Sequence, residues 1–138
     1  MMILNLYKNL LDIAITEFGT IVESGEIPYS SSDEPWKLRL YVCDDGIVDI
    51  YYSQKGKYSY HWNRCLVSNK IYRHDNAPHQ KWKNIPTFPK HFHNGSEENV
   101  VQSCISDNPE LAVREFLRFV SAYILKNHRD KKKEDKTK

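Results

Sequence analysis

Residues 36–63 read WKLRLYVCDDGIVDIYYSQKGKYSYHWN, and this stretch decides the fold. Its apolar positions recur every second residue. Leu38, Leu40 and Val42 alternate with Lys37, Arg39 and Tyr41, which is the period of a half-buried strand. Asp44-Asp45-Gly46 is a tight-turn signal, and Ile47 to Ser53 resumes as a second strand. Lys55-Gly56-Lys57 turns the chain into a third strand, Tyr58 to Asn63, and the polar Ser68-Asn69 precedes a fourth over Lys70 to Arg73 or a little beyond. Strands this close, joined by short glycine turns, predict an antiparallel meander rather than a parallel α/β sheet.

Towards the N-terminus the period lengthens. Ile3, Leu6, Leu10, Ile13, Ala14, Phe18 and Ile21 fall at three-to-four spacing, with Leu11 and Val22 widening the stripe. An amphipathic helix is expected there, stopped by Ser24-Gly25. Residues 25–35 compose as a loop. Towards the C-terminus, residues 76–99 hold Pro78, Pro86 and Pro89 and little periodicity, which predicts a long histidine-rich loop. A short strand is expected within Val100–Ile105. Asp107-Asn108-Pro109-Glu110 is a helix-start signal, and Val113, Phe116, Leu117, Val120 and Ile124 form one apolar stripe beyond it.

The expected fold is therefore α+β: an N-terminal helix, an antiparallel sheet of four to five strands, a long His-rich loop and a C-terminal helix packed on the sheet. The two helices cover one face and leave the other to meet a ligand. A chain of 138 residues suits one such domain over 1–127, followed by a basic tail, 128–138, whose composition predicts disorder.

Composition narrows the function. The apolar opening, Met1 to Leu6, is far short of the roughly 18 residues of a membrane span, and no secretory leader is recognisable, so a soluble, cytoplasmic protein is expected. Cys43, Cys65 and Cys104 form no CxxC pair, which predicts reduced, mostly buried thiols and neither a disulfide scaffold nor a structural zinc site. The net charge of +2 conceals a steep polarity: residues 55–93 carry 8 basic side chains against the single acid Asp75, whereas residues 1–54 carry 3 against 9. The same basic segment holds five of the six histidines and the aromatics Tyr58, Tyr60, Trp62, Tyr72, Trp82, Phe88 and Phe92. Cations interleaved with rings suit a phosphodiester strand with stackable bases.

Two chemistries fit that segment. In metal-free RNA cleavage, one histidine takes the 2′-OH proton, a second group protonates the leaving 5′-oxygen, and a cation stabilises the phosphorane. Expected catalytic residues are His61 and His79 as the acid/base pair, Asp75 to orient one of them, and His91 and His93. Expected substrate-binding residues are Arg73, Lys57 and Lys90 for phosphate, with Tyr60 or Trp62 as a base platform. In the alternative, His91 and His93 in HxH spacing hold a metal, with His79, Asp75 or His61 as further ligands. The reading taken is the metal-independent one, with no cofactor. Tyr60 and Trp62 fit a core equally well, and Asp75-Asn76 also reads as an Asx-turn.

The runs Lys37-Leu38-Arg39-Leu40, Asp45-Gly46, Tyr58-Ser59-Tyr60-His61-Trp62, Arg73-His74-Asp75-Asn76-Ala77-Pro78-His79 and Phe88-Pro89-Lys90-His91-Phe92-His93 resemble, in order and spacing, the TumE-type toxins of toxin–antitoxin systems. The resemblance spans about residues 36–95. It implies toxicity and a cognate antitoxin, commonly a helix-turn-helix protein; a homodimer is left open. The family pattern often carries further histidines where this chain has Gln80 and Lys90, which thins any histidine-rich metal site. RNA as the target follows from charge and histidines, not from the family. A non-catalytic nucleic-acid-binding module is the competing class.

Overall fold

The computed structural model describes residues 2–44 and 46–136, with side chains as far as Lys126. Helix α1 (Ile3–Glu17) leads into β1 (Val22–Glu26), β2 (Leu38–Val42), β3 (Gly46–Tyr52) and β4 (Tyr58–Arg64). The short helix α2 (Cys65–Ser68) and β5 (Lys70–Asp75) follow, then a 3-10 turn at Gln80–Trp82, β6 (His91–Gly95), β7 (Val100–Gln102) and α3 (Pro109–Lys136). The strands form one sheet in the order β1-β2-β3-β4-β5-β6-β7, each antiparallel to the next. The meander is as expected, but it has seven strands rather than four to five.

Both additional strands were hidden by period. Ile21 and Val22 continue the helical spacing of α1, yet the helix ends at Glu17. The turn that follows suits glycine at 19, where a Cβ would stand 2.8 Å from the Ile15 carbonyl oxygen, and Val22 then opens β1. The expected stop at Ser24-Gly25 lies inside that strand. At the other end, β6 is cut from the expected loop at 76–99. Its sequence, His91-Phe92-His93, alternates faces correctly, but both faces are covered, so no apolar/polar alternation marks it.

Period two settles which side chains become core. One register row runs Leu38–Ile50–Tyr60–His74–Phe92 across β2 to β6. It faces Tyr7, Leu10 and Ala14 of α1 and Val113, Phe116, Leu117 and Val120 of α3. Asn108 accepts the Leu111 N–H at 3.1 Å and caps α3 ahead of Pro109, as the sequence predicts. Tyr60 and Trp62 are fully buried on this face. Trp62 meets Tyr72, Phe119 and Tyr123, and Gly46 leaves it room, since a Cβ there would stand 2.6 Å from Trp62 Nε1. The two rings are therefore core residues, not a base platform.

Cys65 and Cys104 are exposed and Cys43 half-buried, against the expectation of buried thiols. Among the described residues no helix is long and apolar enough to cross a membrane. The trace of α3 runs to Lys136 and so through most of the expected basic tail, 128–138, but the side chains of 127–138 lie outside the described residues.

Candidate functional site

On the face turned away from the helices, a second register row runs Arg39–Asp49–His61–Arg73–His93–Val100. The row beside it runs Tyr51–Ser59–Asp75–His91–Gln102. Five of the expected site residues, His61, Arg73, Asp75, His91 and His93, thus share one patch of three adjacent strands. Asp75, His91 and His93 are buried, and Trp82 covers the two imidazoles with ring centroids 6.3 Å from His91 and 6.1 Å from His93.

Backbone contacts fix the centre of this patch. Asp75 Oδ1 accepts the Ala77 N–H at 3.0 Å, the Asx-turn anticipated from sequence. Asn76 accepts the Tyr58 N–H at 2.9 Å and donates to the Gly56 carbonyl at 2.9 Å, which pins the Lys55–Lys57 turn to the Asp75 end of β5. Arg73 Nε donates to Asp75 Oδ2 at 3.1 Å, and its two terminal nitrogens grip the Glu97 carboxylate at 2.8 Å each. That guanidinium holds Glu97 below the usual carboxylate range.

The imidazoles are oriented just as firmly. His91 Nδ1 lies 2.9 Å from the Pro89 carbonyl oxygen and His93 Nδ1 lies 3.0 Å from that of Glu97. A carbonyl oxygen only accepts, so both Nδ1 atoms carry the proton and donate it. Each Nε2 then points inward, His91 Nε2 to 3.1 Å from Asp75 Oδ1 and His93 Nε2 to 3.8 Å from Asp75 Oδ2. Burial, reinforced by Arg73, pushes the His93 pKa down and keeps that ring neutral.

The other expected residues divide. His61, half-buried opposite Arg73 in register, has its pKa lowered by burial and then by the guanidinium. His79 is exposed, with its ring 6.5 Å from that of His91. His61 pairs in register with Arg73 whereas His79 lies beside His91, and among the described residues no ring contact joins the expected acid/base pair. Lys57 is exposed at the pinned turn. Lys90 is not available to substrate, because its ammonium is bound by the Ile105 carbonyl and lies 3.3 Å from Asp107. His74, one residue from Asp75, points into the core and stacks on Phe92 at 4.1 Å.

Two contributors escaped the sequence reading. Glu97 supplies a carbonyl to His93 and a carboxylate to Arg73, and Trp82 roofs the histidines. Glu97 has no motif of its own; only the hairpin of β6 and β7 brings it back over Arg73. The midsegment's excess of cations is likewise partly spent inside the fold, Arg64 on Asp44, Arg73 on Asp75 and Glu97, and Lys90 on Asp107.

What the fold and site define is a single-sheet α+β domain, with helices packed on one side and an aspartate–histidine–arginine centre on the other. The family is shown by comparison: the model of the toxin TumE family matches residues 11–124, and the chain belongs to that family. The match reaches beyond the resemblance over 36–95 to include the C-terminal half of α1 from Leu11, β1, and α3 through Ile124. No curated protein and no solved structure matches the chain. Family membership makes it a toxin of a toxin–antitoxin system, which implies an antitoxin partner.

Proposed function

We propose that this toxin cleaves RNA in the cytoplasm, at the sheet face that carries His61, Arg73, Asp75, His91 and His93. The single observation behind the reading is the register that sets a neutral histidine beside an arginine and a buried aspartate–histidine centre on the face turned away from the helices.

His61 is the proton acceptor. Its depressed pKa leaves the imidazole unprotonated at neutral pH, with a lone pair for the 2′-OH. The deprotonated 2′-oxygen attacks phosphorus, the P–O5′ bond breaks, and the products are a 2′,3′-cyclic phosphate and a 5′-hydroxyl. His79, beside His91 and open to solvent, delivers the proton to the leaving oxygen. Arg73 spends one N–H of each terminal nitrogen on Glu97 and keeps another on each for a phosphate oxygen. Trp82, with the Lys81 ammonium 4.9 Å over its ring, replaces Tyr60 and Trp62 as the aromatic surface beside the site.

The test is incubation of the purified chain with total RNA, with fragment ends read alongside lengths. Cyclic-phosphate ends made by the parent and lost by at least about a hundredfold in His61→Gln, with an unchanged far-UV spectrum, are the expected result. RNA that is shifted on a gel but stays intact would replace the enzyme with the nucleic-acid-binding module.

A further inference from the structure

We propose that Asp75, His91 and His93 bind one divalent transition-metal ion of the Zn2+ class. The three residues offer one donor atom each, all within 4.8 Å of one another and all buried. The inference stands on this geometry and not on the RNA-cleaving reading, to which it adds a ligand.

The protons make the case. Both Nδ1 atoms donate to backbone carbonyls, so a ring that carries one proton turns its Nε2 lone pair toward the Asp75 carboxylate. Arg73 balances Asp75 on its Oδ2 side at 3.1 Å, but among the described residues no cation stands in the buried space between Asp75 Oδ1 and the two imidazoles, where facing electron-rich atoms call for a positive species. A proton on His91 Nε2 does not serve: Asp75 Oδ1 is 3.1 Å away, yet Nε2 has no hydrogen-bond partner, because the oxygen lies off the direction in which an N–H would donate. A metal ion needs no such alignment between ligands. It sits beside the line joining them and is reached by each lone pair separately.

The distances agree with that occupant. Bond lengths of about 2.0–2.1 Å place neighbouring ligands of a tetrahedral ion roughly 3.3 Å apart. The nearest oxygens of Asp75 stand at 3.1 Å (Oδ1) from His91 Nε2 and 3.8 Å (Oδ2) from His93 Nε2, and with one donor atom taken from each residue all three lie within 4.8 Å. The supporting shell is also in place. Each ligating ring is anchored through its far nitrogen by a main-chain carbonyl, the usual orienting device for a metal-bound histidine. Asp75 gives one lone pair of Oδ1 to Ala77 and one of Oδ2 to Arg73, and keeps another on each oxygen. Two imidazoles and one carboxylate favour a borderline ion over Mg2+ or Ca2+, which prefer all-oxygen shells. Three protein ligands leave a tetrahedral ion one coordination position for water or substrate.

The experiment is titration of the full chain, stripped with a chelator and dialysed, with Co2+ followed by its visible absorption and with Zn2+ followed by calorimetry. One equivalent of each is expected to bind, with the Zn2+ displacing the Co2+ bands. Asp75→Asn and His93→Gln keep the size and polarity of the side chains, and each is expected to weaken binding by at least about tenfold. Far-UV circular dichroism establishes that the variants are folded. A folded parent that binds neither ion at one equivalent overturns the proposal, and so does unchanged affinity in both folded variants. RNA cleavage assayed on the same samples keeps the two readings apart. Metal bound without cleavage sinks only the nuclease, and cleavage by protein shown to hold and bind no metal sinks only the metal site.

Discussion

His74 offers a measurement of whether β5 divides its residues between core and site as described. Its ring stacks on Phe92, meets Phe116 edge-on with centroids 5.9 Å apart, and places Nδ1 2.7 Å from Ser103 Oγ. Burial, then the nearby Lys90 ammonium, lower its pKa from 6.5 to about 4. The folded state therefore resists a proton that the unfolded chain accepts. Above pH 6.5 the ring is neutral in both states and contributes no pH dependence. As the pH falls below 6.5 the unfolded chain gains the proton first, stability drops, and the loss levels off below about pH 4. At pH 5 the unfolded ring is almost wholly protonated and the folded one is largely neutral, a penalty of about 2 kcal/mol relative to pH 7. His74→Phe keeps a stacked ring and removes the titration. The assay is urea unfolding at pH 7 and pH 5 in a chelating buffer, so that metal linkage does not enter. The parent is expected to lose about 2 kcal/mol more than the variant between the two pH values. The constant cost of leaving Ser103 without its partner cancels in that difference. Equal losses in the two proteins would mean that His74 is solvated when folded, and the assignment of alternate β5 residues to opposite faces would fall with it.

Other expectations follow from the same geometry. Trp62→Ala should cost about 3–5 kcal/mol in chemical denaturation, as for a fully buried indole, and a variant as stable as the parent would restore Trp62 as a surface ring. Gly46→Ala forces a Cβ toward Trp62 Nε1 and should destabilise by about 1–3 kcal/mol, read in the same assay. The acidic limb of the cleavage profile should lie below pH 6.5, because burial and Arg73 depress the His61 pKa; a limb above that value would exclude His61 as the base.

Much of the fold was legible because β2, β3 and β4 pair through tight turns and alternate strictly, so a single residue pattern carries both strand and face. The failures share one cause. Ile21 and Val22 satisfy a helical period while belonging to the approach to β1 and to β1 itself, and the local mark of the change is a glycine at 19, where a Cβ would stand 2.8 Å from the Ile15 carbonyl oxygen. In β6, His91 and His93 are buried polar residues, so the strand presents no apolar alternation to read. The site was legible as a set of residue types. That Asp75, His91 and His93 converge while His79 stays at the edge depends on the β5–β6 register, which a proline-bearing segment of this length does not encode locally.

The same register bears on how an RNA strand would be met. The centre is built on two neighbouring strands, and its ring directions are set by main-chain carbonyls, so its geometry is rigid before any ligand arrives. Rigidity was obtained by pairing charge: Arg73 sits between Asp75 and Glu97, and Lys37 and Arg39 between them hold Asp49, which against the opposing effect of burial stays below the ordinary carboxylate range. The face is consequently a neutral lattice rather than the basic groove that a count of lysines and arginines suggests. Lys57, Lys81 and Lys83 make no ion pair among the described residues and stay exposed, Lys57 on the turn pinned beside Asp75 and the other two flanking Trp82. Phosphate attraction should therefore reside in those lysines, together with the exposed Lys55 on the same turn as Lys57, and chemistry in the centre between them. Charge reversal at the lysines should then weaken RNA binding and flatten its salt dependence without touching the chemical step, whereas His61→Gln should do the reverse.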